Sequence, residues 1–250
     1  MSELQPHIRL SEEHAVPYAI LPGDPARVDR IATFLTDVEA LADNRGMRSI
    51  TGYYKGVKVM AISTGMGGAS ISITVEELAK IGVKTMIRIG SAGAYVPGIE
   101  LGDLIISNGS VRDDGATKWY APAEFPAVPD TEVLFAMIEA AKELEYPHHV
   151  GITRSHDSFY FDEEANAEME AKWGTKGVLG ADFETSTLFV VGGMRGVKTG
   201  SVLNNVVKFQ GDVSEGIGDY VDEGSITMEG EKREILLALE TIVALDKKNK

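Results

Sequence analysis

The residues of this sequence most able to do chemistry are arginines and carboxylates at the ends of apolar, strand-like runs. In Gly23-Asp24-Pro25-Ala26-Arg27 a bare backbone amide and an Arg stand at a helix N-terminus, where exposed N–H groups and the axial dipole favour a small anion. A capped helix with a solvated Arg27 is the plain alternative. In Arg88-Ile89-Gly90-Ser91-Ala92-Gly93 the apolar run Thr85-Met86-Ile87 takes on an Arg just before a small-residue turn. Burying a guanidinium unopposed is costly, so a protein carboxylate or a bound anion must meet Arg88, and the reading favours a ligand. Ser91 adds a hydroxyl donor, and Ala92 and Gly93 leave space for a flat ring. In Gly180-Ala181-Asp182-Phe183-Glu184, Asp182 and Glu184 share one face at period two, with Phe183 on the other. Packing does not explain such acids beside Val178, Leu179 and Ala181. They could bind sugar hydroxyls, stabilise a cationic transition state, or neutralise Arg45 or Arg88.

Other patterns exclude chemistries. Ser63-Thr64-Gly65-Met66-Gly67-Gly68 follows a strand and opens a helix, yet Arg88 stands where a dinucleotide fold wants an acid, so tight helix–sheet packing is the better account of its glycines. The five His have no metal-ligand spacing and there is no Cys, so no metal is expected. Nucleophile-elbow and Walker patterns are missing, and covalent catalysis has no support. Asp157-Ser158-Phe159-Tyr160 reads either as an aromatic face for a base or as a core cluster.

These residues need a scaffold, and the rhythm of the chain supplies one. Strands are expected at Ala19–Leu21, Val57–Ser63, Thr85–Gly90, Asp103–Asn108, Val150–Arg154, Val178–Phe183 and Thr199–Asn205. Several are apolar at successive positions, as in a sheet covered on both faces. Helices are expected after Asp24-Pro25, with Val28, Ile31, Ala32 and Leu35 as the stripe, and at Ala69–Lys80, Thr131–Leu144, Thr185–Arg195 and Ile226–Asp246. The sum is a single α/β domain over residues 1–250, a three-layer α/β/α arrangement around a central mixed sheet. The acidic stretches Asp162–Glu170 and Asp212–Glu229 read as mobile solvated surface or as lids. With 24 Lys plus Arg against 38 Asp plus Glu, the net charge of −14 opposes binding to a polynucleotide or an anionic membrane. No secretory pattern opens the chain and no apolar run is long enough to span a bilayer, so a cytoplasmic location is expected.

Taken together in order, several segments resemble the purine and uridine phosphorylase family of nucleoside phosphorylases over nearly the whole length. They are Pro22-Gly23-Asp24-Pro25 with Arg27, Asn44-Arg45, Ser63 to Gly68, Val75-Glu76-Glu77-Leu78, Arg88 to Gly93, and Ser110-Val111-Arg112 leading to Glu124-Phe125-Pro126-Ala127-Val128. Val111 to Ala116, Ala121 to Val128 and Asp157 to Tyr160 look most like uridine phosphorylases. The resemblance implies phosphate held by Gly23, Arg27, Arg45, Arg88 and Ser91. It implies ribose against His7, Asp182, Phe183 and Glu184, and the base near Ala92, Gly93, Phe159, Asn204 and Asn205. His7 would reach a neighbouring subunit's ribose 5′-hydroxyl, within dimers assembled into a homohexamer. The implied reaction is reversible phosphorolysis of uridine with inorganic phosphate as co-substrate and no cofactor. Arg27, Arg88 and Glu184 would carry the catalysis. Phosphorolysis of 6-oxopurine nucleosides and silent nucleoside binding are the alternatives.

The sequence departs from that family at five places. The Gln and Arg that read uracil are absent from Phe161-Asp162-Glu163-Glu164-Ala165, and the stretch from there to Asp182 is shortened. Asp182 and Phe183 stand where Glu and Met are expected, and Gly46 replaces a Glu of a monovalent-cation site. Asn204-Asn205 stands near the position of the purine enzymes' catalytic Asp; an Asn cannot protonate a purine N7.

Overall fold

Residues 3–160, 162–221 and 225–248 are described by a computed structural model. In chain order the elements are β1 (Tyr18–Pro22), α1 (Pro25–Ala32), β2 (Thr36–Asn44), β3 (Met47–Tyr54), β4 (Val57–Ile62), α2 (Gly68–Ile81), β5 (Thr85–Ala94), β6 (Leu104–Asp113), α3 (Thr117–Tyr120), α4 (Thr131–Glu143), β7 (His148–His156), α5 (Glu163–Gly174), β8 (Val178–Asp182), α6 (Thr185–Met194), β9 (Lys198–Val207), α7 (Val213–Val221) and α8 (Ser225–Lys248).

Successive side chains of β1 go to opposite faces and meet different cores. Tyr18 and Ile20 pack in a cluster with Val28 and Ile31 of α1, Val133 and Met137 of α4, and Ile235 and Leu239 of α8. Ala19 and Leu21 pack with Ile71, Val75 and Leu78 of α2 and Leu188 and Val191 of α6. Both faces of the sheet are therefore covered, which is why its central strands are apolar without alternation and why three layers form.

The mixed sheet runs β2-β3-β4-β1-β5-β8-β7-β6-β9, and β9 returns to pair with β5. β5 is the pivot. On one edge it pairs along its length with β9 in parallel, from Thr85↔Lys198 onward. On the other it pairs with β1 as far as Pro22↔Ile89, and then with β8 from Gly93↔Ala181. Residues 90–92 fall between those two registers, where one neighbouring strand has ended and the next has not begun. Ligands bind to open sheets at such divergences, and Gly90, Ser91 and Ala92 line a cavity there.

Four expectations need correcting. The segment after Arg88 is not a turn but the continuing strand β5, which runs to Ala94. Strands β2 and β3 were not expected; β2 is mostly exposed and irregularly paired, and β3 carries Arg48, Ser49, Thr51 and Gly52, so neither shows an apolar run. In their described residues, which leave out 222–224, the acidic stretches expected as solvated surface or lids carry α5, α7 and the start of α8, and α5 and α7 turn residues into the cavity as well as to solvent. The strand at Val178 ends at Asp182, so Glu184 is the N-cap residue of α6 rather than a strand position. None of the described helices is long and apolar enough to cross a membrane.

Candidate active site

Asp24 accepts a hydrogen bond from the Ala26 amide (2.9 Å) and Pro25 takes the first helical position, which starts α1 directly beside the end of β1. That start turns Arg27 inward, where it is 4% exposed. Its Nε donates to Glu231 Oε2 (2.9 Å), one terminal nitrogen lies 3.1 Å from Glu234 Oε1, and the other donates to the Tyr220 hydroxyl. Arg27 is thus a buried cation rather than a solvated one.

Arg88, on β5, is equally buried. Its Nε donates to Asp182 Oδ2 (2.9 Å) and a terminal nitrogen meets Glu184 Oε2 (2.5 Å). Of the two partners weighed for Arg88, protein carboxylates are therefore in place, while Arg88 still lines the cavity. The two acids differ in what remains to them. Asp182 also accepts from Ser155 Oγ (2.6 Å), Thr185 N (3.0 Å) and Thr185 Oγ1 (2.6 Å). With four donors already on it, Asp182 orients Arg88 and has little capacity left for a ribose hydroxyl. Glu184 accepts otherwise from the Gly67 amide (2.5 Å), and burial holds its carboxyl above the usual carboxylate range against the pull of Arg88.

The cavity these groups line has a volume of about 830 Å³. Gly23, Arg27, Arg88, Ser91 and Glu184 stand at one end; Ala92, Gly93, Phe159 and Phe183 line it as expected. The Phe183 ring packs edge-on against His156 (5.0 Å between centroids) and Phe159 (6.4 Å). Burial pushes His156 down to about 4, so the ring is neutral near pH 7. Gly65 and Gly67 have φ of +69° and +88°, and a Cβ on Gly68 would come within 2.8 Å of Thr187 Oγ1, so conformation and close packing account for these glycines.

Four expected site residues do not line the cavity. Asn204 and Asn205 are fully buried behind it. Asn204 Nδ2 donates to the Thr227 carbonyl (2.8 Å), and Asn205 Nδ2 to the Glu100 carbonyl (3.1 Å), so both brace loops instead of meeting a base. His7 and Arg45 lie together outside it. His7 Nδ1 is 2.6 Å from Glu77 Oε1, while buried Glu77 also accepts the His7 and Ile8 amides (3.0 and 2.8 Å). The Asn44 side chain donates to the His7 carbonyl (2.6 Å), which ties the β2–β3 turn to this segment. Next in that turn is Arg45, exposed and left-handed at φ +55°.

Five polar residues that sequence reasoning missed belong to the cavity or its floor. Glu231 and Glu234 lie one turn apart on α8 with buried Thr227, Ala238 and Thr241 on the same face, a polar interruption of an apolar stripe that could have marked them. Glu234 Oε2 accepts from the Gly90 and Asn204 amides (3.1 and 3.2 Å), and burial pushes its carboxyl up to about 8 against the attraction of Arg27. Tyr220 shares a face of α7 with Val213 and Ile217 at i, i+4 and i+7 spacing, and all three line the cavity. Asn166 and Glu170, one turn apart on α5, also line the cavity; Glu170 bonds to Asn166 and the Gln210 amide and, among the described residues, to none of Arg27, Arg88, Asp182 or Glu184, which marks this as the end away from the arginines.

A buried pair of arginines with fixed carboxylate partners, set where a central strand loses its neighbour and facing an aromatic-walled cavity, defines a site for an anion and a flat organic group. The profile of the phosphorylase superfamily matches residues 17–204, and the chain belongs to that family. Among relatives, it is 49% identical to a uridine phosphorylase of Thermococcus kodakarensis over 157 residues, 63% of this chain and 57% of the relative. It is 36% identical to a guanosine phosphorylase of Halorubrum lacusprofundi over 198 residues, 79% of this chain and 81% of the relative. The crystal structure of uridine phosphorylase from Vibrio fischeri ES114 superposes with a TM-score of 0.89 at 42% identity, covering 98% of each chain.

Proposed function

We propose that this chain, as one domain over residues 1–250, catalyses the reversible phosphorolysis of uridine and related pyrimidine nucleosides. One observation carries the reading: Arg27, Arg88, Ser91 and Glu184 meet at one end of a single cavity whose walls include Phe159 and Phe183. Inorganic phosphate is the co-substrate; no metal or other cofactor enters the step. A phosphate oxygen attacks C1′ as the bond from C1′ to the base nitrogen breaks, giving ribose 1-phosphate and a base that leaves with the electron pair. Arg27 and Arg88 orient the phosphate and hold its charge beside the developing ribosyl cation, while Glu184 fixes the ribose hydroxyls. Phe183 packs on the sugar.

The charge around that end supports a shared site. Arg27, Arg30 and Arg88 face Asp182, Glu184 and Glu231, with Glu234 held protonated beside them, so one chain alone offers a phosphate dianion no excess of positive charge. Arg45 and His7, tied side by side on the surface, would supply a cation and a 5′-hydroxyl partner to the cavity of a second copy. A homohexamer built as a trimer of dimers, acting in the cytoplasm, fits this arrangement. A second reading, 6-oxopurine nucleosides, is favoured by the guanosine phosphorylase among the relatives.

Base release from uridine, thymidine, cytidine, inosine and adenosine, each with and without phosphate, tests the proposal. Strict phosphate dependence with uridine preferred is expected. Turnover of inosine but not uridine would move the chain to the second reading, and no turnover of any would leave a binding protein.

A further inference from the structure

The far end of the cavity carries a buried carboxylate that the reaction as drawn does not use. Glu170 is 5% exposed and lines the cavity from α5. Among the described residues no Lys, Arg or His forms an ion pair with it; its contacts are two long hydrogen bonds, from Asn166 Nδ2 (3.4 Å) and the Gln210 amide (3.3 Å). A carboxylate offers about four acceptor positions, so much of the capacity of Glu170 stays open. Burying such a group with so few donors destabilises the fold, and a ligand that donates to it relieves that cost. The other polar groups of the far end are less available: the Tyr95 hydroxyl already accepts from Arg154 (2.8 Å), and His156 packs on Phe183.

We infer that Asn166 and Glu170 are the base-reading pair of this enzyme, with Glu170 accepting the ring N–H of a lactam and Asn166 donating its second amide hydrogen to the neighbouring carbonyl. The inference rests on the phosphorolysis reading and sharpens its substrate class. Uracil presents such an N–H beside a carbonyl, and so do the 6-oxopurines. Cytosine and adenine present a bare ring nitrogen there, and its lone pair would face the carboxylate. The pair therefore selects lactam bases as a class, and the room left by the walls, not the pair, divides pyrimidine from purine.

The test is calorimetric binding in the presence of phosphate, alongside turnover. Wild-type protein is titrated with uridine, 3-methyluridine and cytidine, and Glu170→Gln with uridine and cytidine. 3-Methyluridine, which has lost the N–H, is expected to bind on the order of 100-fold more weakly than uridine. Glu170→Gln can turn an N–H toward the cytosine nitrogen, so the preference for uridine over cytidine should fall by about 10-fold or more. A purely structural Glu170 would weaken both nucleosides alike. Equal binding of uridine and 3-methyluridine by the wild type, or an unchanged preference in a folded Glu170→Gln, would overturn the assignment. Binding decides this whether or not base is released, so a failure of the phosphorolysis reading shows separately, as absent turnover. If Glu170→Gln does not fold, the 3-methyluridine titration still decides.

Discussion

The two ends of the cavity are built by opposite means. At the phosphate end the charged groups stand on strands β5 and β8 and on the elements packed against them, α1, α8 and the cap of α6, and each is held by partners: Asp182 alone takes four donors, one of them from Arg88. At the base end the open acceptor stands on α5, outside the sheet, where Glu170 is held by two long hydrogen bonds. Orienting a nucleophile needs fixed charges, and those are costly to bury unless paired, so that end is saturated. Selecting a base needs unsatisfied acceptors and donors waiting for the substrate, so that end is left open. Catalytic geometry and specificity can therefore vary independently in this fold, because they sit on different layers.

The strongest way to break this contrast is at Arg88. Arg88→Ala should lower kcat/KM by at least about a thousandfold through lost phosphate positioning. It should also cost on the order of 3–5 kcal/mol of stability, since Asp182 and Glu184 lose their shared cation. A melting curve and a turnover assay on one preparation read both. Full activity would remove the phosphate assignment, and an unchanged Tm would show that the acids were not dependent on Arg88.

Arg45→Ala should be next in size, with kcat/KM for phosphate down about 10- to 100-fold and Tm nearly unchanged because the side chain is exposed. Co-expression sharpens this. A dimer pairing one Arg88→Ala chain with one Arg45→Ala chain keeps one cavity with Arg88 intact and Arg45 supplied by the partner. Recovered activity in the mixed oligomer is expected; activity no higher than that of Arg45→Ala alone would leave each cavity self-sufficient.

The same contrast separates what was legible in the sequence from what was not. The phosphate end was legible because its residues interrupt apolar strands: Arg88 after Ile87, and Asp182 after Ala181, are conspicuous where only apolar side chains pack. Asp24-Pro25 likewise announced its helix through local chemistry alone. The base end was hidden because the helices that wall the cavity are rich in acidic and polar residues, so α5 and α7 read as solvated surface from composition. The edge strand β2 and its neighbour β3 were missed for a related reason, their pairing being satisfied by backbone while polar side chains interrupt any apolar run. Asn204 and Asn205 failed differently. They end the strand expected at Thr199–Asn205 and pair with β5 at Ser91↔Asn204 and Ala92↔Asn205, but their side chains leave the cavity for the Thr227 and Glu100 carbonyls.

A smaller effect distinguishes the floor of the phosphate end. Glu234 keeps its proton up to about pH 8 in the folded chain, against an ordinary 4.5. Between those values the unfolded chain has released the proton and the folded chain has not, so this residue makes stability fall as pH rises through that window and adds no further slope above it. Glu234→Gln should therefore gain in Tm relative to wild type as pH is raised from 5 to 8. Parallel Tm profiles would place the Glu234 carboxyl back in its ordinary range.

The smallest expected effect tests where the base end lies. Asn205 is fully buried, its amide spans to the Glu100 carbonyl, and its Oδ1 has no hydrogen-bond partner among the described residues. If the base is read from α5, Asn205→Ala removes one brace of the loop before β6 and nothing that touches a nucleoside. Stability should drop by about 1–2 kcal/mol while KM for uridine and the preference for uridine over cytidine stay within about a factor of two. A large shift in that preference with the fold intact would return base recognition to β9 and to a side-chain position other than the one described. The contrast between a saturated end on the sheet and an open end on the helices would then fail at its second half, because the selecting residue would sit in the same layer as the catalytic ones.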